Sequence, residues 1–151
     1  MHRKLILEQI ATARTAHLQW WDALKEGLAD ATGVDEWPRL RAPEPGFDRW
    51  YVAMQSYLGD LPAYRAIEQP RHQLEQHLRE IESLLRDEDP RWSRLLGFDR
   101  KLKADRHAAI KREHVQLKRA SDQLVMRLSR LEAAVCELDE IDLLALEPAA
   151  T

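Results

Sequence analysis

Six histidines and one cysteine are the residues of this 151-residue chain best suited to hold a metal or move a proton. Helix-borne ligand pairs sit three or four residues apart, so that both side chains reach one ion. His72 and His77 are five apart and point to different faces. His107 and His114 are seven apart, about two helical turns along nearly the same face, which is too far for one ion to take both. Cys136 is alone, so neither an internal disulfide nor a four-cysteine zinc module can form. A single thiol fits the reducing cytoplasm, the location the sequence predicts. His17 is set apart by its place on an apolar helical stripe.

Catalytic patterns are missing. Ser56, Ser83, Ser93 and Ser121 lie outside any G-x-S-x-G turn, and no H-E-x-x-H occurs. No paired Glu-x-x-His of the di-iron bundle kind is present either. The carboxylates cluster in runs, Glu80 to Asp89 and Glu137 to Asp142, as on solvated faces and helix ends. Five glycines leave little material for a phosphate-cradling loop, and neither glycine-rich nucleotide fingerprint is found. The sequence therefore predicts a protein that is not an enzyme. A net charge of -3 gives no reason to expect nucleic-acid binding. The apolar start Leu5-Ile6-Leu7 is cut short by Glu8, and no run approaches the roughly 20 residues that span a bilayer. No membrane partner is expected.

The elements that must position these residues are helical. Ile6, Ile10, Ala13, His17, Trp20, Leu24 and Leu28 recur every three or four residues, predicting a helix over 3–31 ended by Gly33. Residues 33–62 combine prolines and glycines with Trp37, Phe47, Trp50, Tyr51 and Tyr57. Disordered segments are poor in aromatics, so this reads as a folded connector with a short helix over 48–58. Pro62 opens a helix over 62–88, with Ile67, Arg71, Leu74, Leu78, Ile81 and Leu85 on its stripe and a restart expected near Gln69, before Pro70. A short helix is expected over 91–97. A long one over 101–142 carries neither Pro nor Gly.

The predicted fold is all-α, an antiparallel four-helix-bundle-like domain with a long C-terminal helix. Residues 1–98 form the bundle, 99–147 the long helix packed on it or on a partner, and 148–151 a frayed tail.

The strings Ala16-His17-Leu18-Gln19-Trp20, Pro45-Gly46-Phe47-Asp48-Arg49-Trp50 and Leu61-Pro62-Ala63-Tyr64-Arg65-Ala66-Ile67, followed by a helix with Arg71-His72-Gln73-Leu74-Glu75-Gln76-His77, carry more than composition. In order and spacing they resemble the chemoreceptor zinc-binding domain over roughly residues 5–85. That bacterial cytoplasmic module is a four-helix bundle holding zinc with three His and one Cys. The resemblance implies that His17 stands at the first ligand position. The family's cysteine position is Pro45 here, and its glycine position is Asp48. Its final His-x-x-x-His pair falls on Arg71 and Glu75 without a gap, or on His72 and Gln76 after a shift of one. Four donors are not restored either way, as a tetrahedral structural zinc requires. The expectation is a degenerate site with no cofactor, in which Arg71 and Glu75 pair at i, i+4 and His17 bonds to one of them. The alternative is a rearranged zinc site using His17, His72 and a carboxylate.

The long helix suggests an association seam. Ile110, Leu117, Leu124, Leu131 and Leu138 share one heptad position, while Leu128 and Val135 share the other with His107, His114 and Ser121. Residues 99–130 hold ten Lys or Arg against four Asp or Glu, and residues 131–151 hold six Asp or Glu with no Lys or Arg. An antiparallel pair would bring these unlike ends together. The functional expectation is a non-catalytic sensory or regulatory bundle of bacterial signalling type. It would pair through the long helix with a second copy or a partner signalling protein. Two alternatives are a zinc-binding regulatory protein with the rearranged site, and a bundle whose Trp20, Trp21, Trp37 and Trp50 line a small-molecule pocket.

Overall fold

The computed structural model describes residues 2–30, 45–86 and 99–146. Its elements are α1 (Arg3–Asp30), α2 (Pro45–Ala53), α3 (Gln55–Leu58), α4 (Pro62–Arg65), α5 (Glu68–Arg86), α6 (Asp99–Glu137) and α7 (Glu140–Ala145). No strand occurs among the described residues, so the all-α architecture stands. No helix among them is long and apolar enough to cross a membrane. The expected helix over 91–97, the Gly33 cap, Trp37 and the 148–151 tail lie outside the described residues.

The helices form where apolar spacing matches the helical period. Ile6, Ile10, Ala13, Trp21 and Leu24 of α1 are buried, as are Leu74, Leu78 and Ile81 of α5. Both helices pack along α6, whose Leu117, Leu124, Leu128, Leu131 and Val135 are completely enclosed. α1 runs antiparallel to α6. Arg3 Nη2 donates to the Leu138 carbonyl near one end, Arg14 meets Glu132 at 2.8 Å, and Trp21 lies against His114 at 5.9 Å further along. The short helices α2, α3 and α4 contribute Phe47, Tyr51, Met54, Leu58 and Tyr64 to the same core.

Proline and capping chemistry fix the breaks. Leu61 is extended, and Pro62 opens α4 where its missing N–H removes no bond. The helix restarts at Glu68, which places Pro70 in the first turn of α5, close to the restart expected at Gln69. The expected helix over 48–58 is instead two pieces, α2 and α3, interrupted at Met54.

The long helix also ends earlier than its periodicity suggests. Asp139 has an extended backbone and accepts a 2.7 Å hydrogen bond from the Asp142 N–H, starting α7. The acids at 137–142 oppose the dipole at a helix C-terminus but favour a helix N-terminus, so the chain breaks and begins again.

Candidate functional site

His17 is enclosed completely, at 0% exposure, on the α1 stripe that makes the core. An imidazole there needs polar company. Its Nε2 lies 2.8 Å from the Oγ of Ser121 on α6, itself 2% exposed. Trp20 and Phe47 flank the ring, with centroids at 5.7 and 6.0 Å. A histidine beside a serine is the arrangement of a base and a nucleophile. Both groups are sealed in the core, where the pair ties α1 to α6 through a buried hydrogen bond.

Beside it stands a second cluster, built by α2, α4 and α5. An ideal Cβ on Gly46 would lie 3.1 Å from the Ala16 Cβ, so the start of α2 presses against the turn of α1 that carries His17. Two residues further, Asp48 meets Arg71 of α5, with Nε 3.1 Å from Oδ1. Glu68 takes the other side of the guanidinium at 3.3 Å. The guanidinium carbon sits 4.9 Å above the Tyr51 ring, a cation–π contact. Tyr51 stacks on Tyr64 at 4.7 Å, and the Tyr64 hydroxyl donates to the Tyr51 carbonyl.

Burial, reinforced by the Glu68 carboxylate, pushes the Tyr51 phenol well above its ordinary range. Burial likewise pushes Tyr64 up to about 12, with Glu68 adding to the rise and Arg71 opposing it. Both phenols therefore stay neutral at physiological pH and serve as hydrogen-bonding and stacking groups.

Several expectations are corrected here. Arg71 does not pair with Glu75. It takes Asp48 and Glu68, while Glu75 pairs with Arg79 at 3.2 Å. Helical ion pairs favour the acid N-terminal to the base, an order that Glu68–Arg71 and Glu75–Arg79 satisfy and Arg71–Glu75 reverses. His17 meets Ser121 on the opposite helix. The one signal for this was Ser121 itself, a polar residue at a core heptad position between Leu117 and Leu124.

His72 and Gln76 are exposed, whereas His17 is enclosed. Among the described residues no three His, Cys, Asp or Glu gather as a metal cluster. Cys136 is exposed near the end of α6, far along the chain from α2. Pro45 begins α2.

The expected association seam divides in two. Leu117, Leu124, Leu128, Leu131 and Val135 are consumed by the chain's own core, and Leu138 packs against it. They form an intramolecular seam. His107 is exposed, and Ile110 and His114 are half-buried. Burial, and then the charge of Lys25, hold His114 below its usual pKa.

Of the tryptophans expected to line a pocket, Trp21 is buried, and Trp20 and Trp50 pack against the core, with the Trp50 ring tilted against Phe47 and Tyr51. A cavity of about 610 Å³ opens elsewhere, between the start of α1 and the end of α6, lined by Arg3, Leu7, Glu132 and Cys136 among others. Among the described residues no tryptophan lines it. Comparison of the chain with protein-family models, with curated proteins and with solved structures finds no match.

Proposed function

We propose that the chain is a non-catalytic regulatory bundle of bacterial cytoplasmic signalling type, similar to the chemoreceptor zinc-binding domain, whose metal site has been replaced by protein–protein contacts. The observation that carries this reading is the ion pair between Arg71 and Asp48. One residue stands at a ligand position of the family pattern and the other at its glycine position. The two departures are thus partners: a guanidinium at a former ligand position needs a carboxylate, and a glycine changed to aspartate supplies it.

Two further contacts support the reading. Gly46 rests against Ala16, bringing residue 45 to the turn of His17. His17, without a metal, keeps a buried hydrogen bond through Ser121. In this account packing around His17 and Arg71 sets how α1, α2 and α5 sit on α6. The long helix carries that state to a partner helix.

Restoring the ligands tests the reading. The triple variant Pro45→Cys, Arg71→His, Glu75→His is expected to purify with about one zinc per chain, bound as three His and one Cys. That zinc should disappear when His17→Ala is added. A folded triple variant without zinc would contradict the proposal.

A further inference from the structure

The face of α6 turned away from the core carries a second helical stripe. Arg112, Val115, Arg119, Asp122, Met126, Ser129, Ala133 and Glu137 follow at three- or four-residue spacing, and every one is exposed. Val115 at 53% and Met126 at 36% are large apolar groups open to water on a helix whose apolar stripe is otherwise enclosed. The charges at the two ends of the stripe are unlike, with Asp122 between them. Arg112 and Arg119 lie at one end, and Glu137, followed by the exposed Glu140 of α7, lies at the other.

The two ends cannot neutralise each other within one chain. Roughly 30 Å of helix axis separates Arg112–Arg119 from Glu137, against a screening length of about 8 Å at physiological salt. Nor are the basic groups exhausted locally: on this face Lys118 is held by Asp122 at 3.0 Å, while Arg112 and Arg119 stand outside that pair.

We infer that the outer face of α6 binds a second copy of this chain, antiparallel, with Met126 on the twofold axis. That register places Arg119 within a turn of Glu137 of the other copy and carries Arg112 past the end of its α6, toward the acids that open α7. It does so twice, as a twofold interface must. Met126 meets its own counterpart between the two charged ends. A parallel pair would set Arg112 on Arg112, Arg119 on Arg119 and Glu137 on Glu137, which like-charge repulsion forbids. The interface rests on the reading of the long helix as the output element, but not on the fate of the metal site. It differs from the leucine seam, which the monomer already uses.

Exposed Cys136 supplies an internal control. In the antiparallel register it lies opposite Gln116, so the native chain should not cross-link through it. The variant Met126→Cys, Cys136→Ser should form a disulfide-linked dimer under mild oxidation. Cross-linking of both chains, of the native chain alone, or of neither overturns the inference.

Sedimentation equilibrium of charge-reversed chains supplies the second arm. Arg112→Glu with Arg119→Glu, and separately Glu137→Arg with Glu140→Arg, should each weaken self-association by about tenfold or more. Mixing the two chains should restore a dimer. Self-association unchanged by reversal, or not recovered on mixing, overturns the inference equally. The zinc content of the triple ligand-restored variant does not depend on this result, so failure of the interface and failure of the metal-site reading are told apart.

Discussion

A single hydrogen bond in the core decides whether His17 belongs there. Its Nε2 and the Ser121 Oγ are both shielded from water. Removing one partner therefore leaves a desolvated group, at a cost of ~1–3 kcal/mol, whereas replacing both by apolar groups is far milder. Ser121→Ala should lower stability by about that amount in urea unfolding, and His17→Leu combined with it should cost less than the two single losses added together. Strictly additive losses would mean that the two side chains are not coupled.

His114 is a residue through which pH acts on the fold. Burial, and then Lys25, depress its pKa in the folded chain. The unfolded chain thus takes up a proton near pH 6.5 that the fold resists. The sign follows: the stability His114 lends is complete above about pH 6.5 and is lost as the pH falls below it. The urea midpoint should drop between about pH 7 and pH 5, and His114→Gln should flatten that drop. Equal slopes for the two chains would remove His114 from this role.

At the scale of elements, what was legible in the sequence is what apolar spacing controls. The α1 stripe of Ile6, Ile10, Ala13, His17 and Leu24 is buried as its period requires, and so are Leu74, Leu78 and Ile81 of α5. Pro70 announced the restart that Glu68 makes. Spacing is blind to other things. It placed Trp20 on the stripe where Trp21 is the more deeply buried, because adjacent residues differ by only 100° and a wide core accepts both. It carried the long helix past Glu137, because the Asp139 cap is a local hydrogen bond rather than a period. Nor can a heptad seam say whose helix fills it. The leucines at 117, 124, 128 and 131 that suggested a partner are covered by α1, α4 and α5 of the same chain.

The candidate site was legible in its members but not in its pairing. His17 and Arg71 were identified from their place in a pattern, and both stand in the clusters just described. Which acid Arg71 takes depends on α2 crossing α5, a tertiary fact. Asp48 and Arg71 are separated by 23 residues, and only the fold brings them to 3.1 Å. Ser121 faces His17 across 104 residues of chain. A polar residue inside an apolar heptad was the trace it left, and two histidines at the same heptad position hid its meaning.

Across the whole molecule, α6 holds the bundle together, the Asp48–Arg71 pair ties α2 to α5, and unlike charges lie at opposite ends of one long helix. In the proposed function the first two let the bundle report its packing, and the third gives it a directed surface for pairing.

Metal analysis of the native chain decides whether the proposed bundle keeps His17 and Arg71 in place without a metal. Protein purified with neither added metal nor chelator is expected to carry no stoichiometric zinc, and His17→Ala should leave its metal content unchanged. One zinc per chain in the native protein, lost on His17→Ala, would contradict the account.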